Sequence, residues 1–405
     1  MSPRRWAIPL ALSILVLLCQ IWPASPVFDV ASLKPPLGVT LTYPWTHVAF
    51  APLTLLADWL NAGSRQDLKD FLVWCVLVYA LARLLASVRR DTNPAREAGL
   101  AALFAGCVLL FFVWGAFAGR PIPRLVAGGG DTLVYDVHSH TAASHDGRRG
   151  FGAEQNARWH AAAGFGAAFV TDHNVWGAAR MWRRSAPAGL PPLLDGEELS
   201  LSGLHVLVLG NDTVIANAPW NSSWDSTLTL IRRLPTRDSV LLVACIAEDW
   251  GNHWRDVGDL VDAGVRGFEV WNSSPGAMEF PQPMRALLVA RARLSNLPLF
   301  GSTDMHGFGH TASVWNVTTL PGWRAMDTAT LQRALLDHLR HGGFAVNTVI
   351  AMRRWLPVSR WSQAIAVPAG LVLAVRSATT AHRLSLLAWT WVMAAVTARI
   401  RTPRA

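Results

Sequence analysis

The stretch TLVYDVHSHTAASHDG, residues 132–147, decides how the chain is read. It opens with the Val, Leu and Tyr density of a buried strand. The remainder crowds His138, His140, His145 and Asp146 into the loop that follows. Residues two apart on an extended chain point to one side, so His138 and His140 can grip one ion. The same ending recurs twice: GAAFV (166–170) runs into Asp172 and His173, and LPLFGS (297–302) runs into Asp304 and His306. LHVLVLG, SVLLVACIA and RGFEVWN are further strand-like runs, and segments 153–163, 225–234 and 284–294 between strands have helical character. This alternation predicts an α/β fold with parallel strands, whose active site forms at the C-terminal strand ends, where these residues sit. Imidazole combined with carboxylate suits Zn, Mn or Fe rather than Ca or Mg.

Charge divides the chain. Residues 125–350 carry 17 arginines and 21 acidic residues, a net −4 within a chain of +9, so the flanks hold +13. Nucleic-acid binding needs a basic face on the central region, so no nucleic acid is expected as a partner. Mean hydropathy is +0.26 and 16% of residues are charged, too apolar for a purely soluble protein. Four apolar runs, 6–22, 71–88, 100–118 and 384–400, approach the roughly 17–25 residues of a bilayer crossing. Run 48–60, with Pro52 and Asp58, reads as a surface-lying amphipathic helix, and run 364–375 is short. MSPRR before the first run resembles a signal peptide, but the later spans favour an anchor. The expected organisation is a membrane region over 1–124 with three or four helices, a catalytic domain over 125–350, and a membrane region over 351–405 with one or two helices.

The expected location is a bacterial inner membrane, with the lipid bilayer as a partner. Arg4 and Arg5, then Arg83, Arg89, Arg90 and Arg96, favour cytoplasmic loops, and three spans would put the central domain on the periplasmic side. Counting 48–60 as a span reverses this, as Arg353, Arg354 and Arg360 would also favour. Cys19, Cys75 and Cys107 lie in apolar runs, and with Cys245 they form no CxxC pair, which argues against a disulfide framework or a cysteine zinc site.

The motifs DVHSHTAASHDG, TDHN, GEELS, LHVLVLG, IAED and GSTDMH, in this order over about residues 130–348, resemble the PHP (polymerase and histidinol phosphatase) family. That resemblance implies a distorted (β/α)7 barrel, here flanked by transmembrane helices, around a centre of two or three divalent transition-metal ions (Zn, Mn or Fe). It implies His138, His140, His173, Glu198, His205, Asp304 and His306 as metal ligands. Asp146 or His145 matches the third position of the first motif, and Asp146 keeps its Asp-Gly. Glu198 rather than Glu197 is in register, because Leu199 and Ser200 follow it. Where the family has Ala-His-Pro this chain has Ala247, Glu248 and Asp249. Glu248 stands at the ligand position, and His253 is an alternative source of the missing imidazole.

A bound divalent ion lowers the pKa of its water towards neutrality and clamps both oxygens of a phosphoester displacement. The expected function is thus a membrane-anchored, metal-dependent hydrolase, a phosphoesterase acting on a small phosphorylated or ester substrate. His205 or His306 would donate the proton to the leaving group. An ester or amide hydrolase, or a degenerate binding module, are the alternatives. His160, His310, His338 and His341 lack partners at metal spacing and read as structural. Arg183 and Arg184 read as a solvated helix face, with phosphate binding as the alternative.

Overall fold

The computed structural model describes residues 6–87, 93–184, 186–234, 240–253, 256–309, 311–357 and 359–400, without the side chains of residues 86, 87, 253, 360 and 400. Arg4, Arg5, Arg89, Arg90 and His310 therefore lie outside the described residues. The chain forms two compact units. One comprises Val27–Thr42 and Ile122–Met352, the other Met1–Pro26, Tyr43–Pro121 and Arg353–Ala405. The sheet unit thus includes residues 27–42, which lie inside the region expected to be membrane.

Twelve strands are described: β1 (Val27–Asp29), β2 (Val39–Thr42), β3 (Arg124–Ala127), β4 (Thr132–Asp136), β5 (Ala167–Val170), β6 (Leu193–Leu201), β7 (Leu204–Leu209), β8 (Leu241–Ala244), β9 (Gly267–Asn272), β10 (Leu299–Ser302), β11 (Val314–Thr319) and β12 (Thr348–Met352). Ten of them make one sheet in the order β1-β12-β11-β4-β5-β6-β7-β8-β9-β10, and β2 pairs with β3 apart from it. The six strands expected from sequence are all present. The expected parallel strands account for part of the sheet: β4-β5-β6 and β8-β9-β10 are parallel, but β7 runs antiparallel to both neighbours, and β11 pairs antiparallel with β4 and β12, as β12 does with β1. The cause at β7 is local. Only Ser202 and Gly203 separate β6 from β7, with Gly203 at φ 72°, and a two-residue link makes a hairpin whereas a parallel crossover needs a dozen residues or more.

The sheet is mixed and curled. Beyond the C-terminal ends of β4 and β10, Ser139 bridges Met305 in parallel, His140 N–H donates to Met305 O (2.9 Å), and Asp304 N–H donates to His138 O (3.0 Å). Further down, buried Asn316 of β11 substitutes for ladder bonds to β10: it accepts from Gly301 N–H (2.9 Å) and donates to Gly301 O (2.7 Å). Leu133, Tyr135, Phe169, Leu207 and Phe300 build a core with Leu331, Leu335 and Leu339 of helix Thr328–His341. That helix is capped by Asp327, whose side chain accepts from Thr330 N–H.

The other unit is helical, with Ala7–Ile21, Ala51–Asn61, Arg65–Ser87, Pro94–Phe117, Ala366–Ser377 and Thr380–Ile400 as its principal helices. Of the four expected spans, one described helix is long and apolar enough to cross a membrane: Pro94–Phe117, with a mean hydropathy of 2.4 over its best window. Ala7–Ile21 has only 15 residues, and Arg383 and Arg399 interrupt the apolar character of Thr380–Ile400. Helix Ala51–Asn61 buries Thr54, Ala57 and Asp58, whose carboxylate pairs with Arg120 (2.6 Å) and His47 (2.8 Å).

Candidate metal centre

The curled end of the sheet gathers the histidines. His138 and His140 leave β4 on one side of the chain, while Ser139 between them turns away and donates to Phe169 O (2.7 Å). Both rings are fully buried, with their Nε2 atoms 3.0 Å apart. Glu198 of β6 is the hub. Its Oε2 lies 2.9 Å from His138 Nε2, 3.2 Å from His140 Nε2 and 3.3 Å from His173 Nδ1, and its Oε1 lies 3.5 Å from His205 Nδ1. Glu197, its neighbour on the strand, points the other way, accepting from Asn211 and from Ile215 N–H.

Asp304 completes the first corner. It sits at φ 50°, a region few residues other than glycine occupy, and sets Oδ1 3.2 Å from His140 Nε2 and 3.4 Å from His138 Nε2. Asp146 makes a second corner, with Oδ2 3.0 Å from His306 Nε2 and 3.3 Å from His173 Nε2. His145 lies at the margin, its ring centroid 5.1 Å from that of His173. The third corner is His205, 3.4 Å from both Glu248 Oε1 and Asp249 Oδ2. The structure therefore brings together His138, His140, Asp146, His173, Glu198, His205, Glu248, Asp304 and His306. The side chain of His253 is outside the described residues.

Sequence reasoning missed three members. Asp249 joins Glu248, Cys245 falls in one donor group with His138, Glu198 and Glu248, and Glu269 of β9 holds His138 Nδ1 from behind at 3.1 Å. Glu269 had a usable signal, a carboxylate in the middle of an apolar strand. Behind the centre, His160 contacts Asp136 Oδ2 (3.1 Å), and Asp136 accepts from His138 N–H. His338 and His341 bond Thr318 Oγ1 and Asp337 O, and Arg183 pairs with Asp195.

The donor set fits divalent cations. Among the described residues, five overlapping groups each keep their donor atoms within 4.8 Å of one another. Separations near 3 Å match the edges of a coordination shell with bonds of roughly 2.0–2.2 Å. Glu198 Oε1 and Glu248 Oε2 are buried without hydrogen bonds, an arrangement that costs free energy unless a cation satisfies them. The charges point the same way. Burial, with the Asp304 and Glu198 carboxylates nearby, pushes Glu248 up to about 8. Burial would lower His205, but Glu248, Glu198 and Asp249 outweigh it and lift the ring to about 10. Carboxylates are in excess at this corner, and positive charge relieves them.

No protein-family model and no curated protein matches the chain. Among solved structures, PsfC from Pseudomonas syringae is 19% identical over 60% of this chain and 97% of its own, with a TM-score of 0.38. A two-domain protein from Bacteroides vulgatus, described as containing a predicted PHP-like metal-dependent phosphoesterase, is 16% identical over 52% of this chain and 63% of its own, at 0.34. An amidohydrolase from Chromobacterium violaceum, solved with bound sulfate and no metal, is 16% identical over 47% and 95%, at 0.29. With these TM-scores below 0.5, the ground for function is the geometry of the centre itself.

Proposed function

We propose that the sheet unit is a metal-dependent phosphoesterase of the PHP kind, with a distorted (β/α)7 barrel, held at a bilayer by the helical unit. The observation that carries the reading is the convergence of five imidazoles and at least four carboxylates, from separate strand ends, at separations of 2.9–3.5 Å. His138, His140, Glu198 and Asp304 would hold one ion; Asp146, His173 and His306 a second; His205, Glu248 and Asp249 a third. Two or three ions of the Zn, Mn or Fe kind, when bound, supply a water of lowered pKa and offset the charge that develops on a phosphate ester.

The protein's own groups orient and protonate. His306 Nδ1–H donates to Asp304 O (2.8 Å), which turns Nε2 toward Asp146. His205 and His306 keep side-chain exposures of 25% and 20%, whereas His138 and His140 have none, so whichever of these two is not bound to an ion can pass a proton to a leaving oxygen. Bilayer attachment is supported by helix Pro94–Phe117, only 6% buried over its apolar window, and by outward Leu77, Leu81 and Leu84 on Arg65–Ser87.

Metal analysis of the purified chain, with a phosphate-ester panel and His138→Ala as control, tests the reading. At least two ions per chain, and turnover that His138→Ala abolishes, are expected. Metal content near zero would overturn it. Turnover of carboxylic esters or amides alone would move the assignment to acyl hydrolysis, and full occupancy without any turnover would make the unit a binding module.

A further inference from the structure

Within the helical unit, helices Ala7–Ile21, Ala51–Asn61 and Thr380–Ile400 line a half-open groove of about 850 Å³. Its walls are carbon. The polar side chains that border it are spent on backbone carbonyls: Thr390 Oγ1 donates to Leu386 O (2.8 Å), Thr397 Oγ1 to Met393 O (2.7 Å), and Trp389 Nε1 to Ala49 O (2.8 Å). Such a space offers water too few partners, and it offers a polar ligand nothing to orient it.

The groove is also long. Its lining on Thr380–Ile400 runs from Leu386 to Ala398, about 18 Å at 1.5 Å per residue. One turn before Leu386, on the same helix face, the character changes. His382 Nε2 meets His47 Nδ1 (2.9 Å), His47 Nε2 meets Asp58 (2.8 Å), and Asp58 binds Arg120 (2.6 Å), all buried. A long apolar groove whose lining stops one helical turn from a buried polar cluster matches an amphipath with one long tail.

We propose that this groove holds one acyl chain of a bilayer phospholipid, with its headgroup toward the His382–His47–Asp58–Arg120 end. The proposal rests on the bilayer reading above. It differs from a general lipid coat, because the outer face of Pro94–Phe117 is open whereas this space is bounded by three helices.

The test uses the full chain in phosphatidylcholine vesicles containing a phospholipid with a photoactivatable acyl chain, followed by peptide mapping. Labelling of Thr380–Ile400 should saturate at one lipid per chain, compete with unlabelled phospholipid, and fall about tenfold in Met393→Trp and in the milder Ala394→Leu. Labelling of Pro94–Phe117 should stay unchanged in both. Non-saturable labelling spread equally over the two helices would overturn the proposal, as would a wild-type chain that floats with vesicles but leaves Thr380–Ile400 unlabelled. A chain that fails to float at all would overturn the bilayer reading and this proposal together.

Discussion

Glu198 touches four of the five histidines of the centre, so its removal should reach every corner at once. Glu198→Gln is expected to weaken metal binding by at least about tenfold, measured by competition with a chromophoric chelator, while Glu197→Gln leaves it unchanged. Glu248→Ala should cost about one ion per chain, and Glu248→His should retain it, because an imidazole there keeps a donor beside His205. His138, His140, His173, Asp304 and His306 stood out because each closely follows a strand, whereas Asp146, Glu198, His205 and Glu248 were reached through the motif resemblance. Asp249 and Cys245 were not: one replaces a proline of the motif, and the other is an apolar-looking thiol whose placement depends on how the sheet curls. His145 and Asp146 could not be separated by spacing alone, since the choice turns on which side chain meets His173 and His306.

At the scale of elements, β6 carries two adjacent carboxylates with opposite fates. Burial raises Glu197 to about 7 from an ordinary 4.5, although Ile215 N–H and Asn211 bond it. The unfolded chain then releases this proton first. Stability should therefore fall as pH rises from about 4.5 to 7 and level off above, by up to about 3 kcal/mol. Glu197→Gln, which keeps an acceptor for both donors, should flatten that slope in urea titrations across the same range. The β10–β11 contact makes a second prediction. Asn316→Leu leaves the Gly301 N–H and C=O without their partner and should destabilise the unit by about 2–4 kcal/mol in the same assay. Six strands were readable from apolar runs. β6 was hidden behind its acidic pair, and the antiparallel direction of β7 behind a two-residue turn. Asn316 gives no warning in sequence, because a buried amide bridging two strands looks like any polar strand residue.

For the whole molecule, charge and apolarity divide as the chain does. The acidic central residues fold as a sheet unit, and the basic, apolar flanks fold as helices. Carboxylates crowded at the centre repel one another, and bound cations would relieve that repulsion. Chelation should therefore lower the melting temperature of the chain, and restoring Zn or Mn should recover it, as calorimetry can follow. The division into flank and centre was legible from composition. The contribution of Val27–Thr42 to the sheet unit was not, because three- and four-residue strands carry too little pattern to assign.

The bridge between Ser139 and Met305 ties that thermodynamic coupling to a place. The backbone that joins β4 to β10 belongs to the residues whose side chains would hold the ions: His140 and Asp304 lend their N–H groups to the seam and their rings and carboxylates to the centre. A cation there would act as a clasp on the seam between β4 and β10. The amides of His140 and Asp304 should therefore exchange with deuterium slowly in the loaded protein and faster together after chelation, while amides in the middle of β8 and β9 keep their pace.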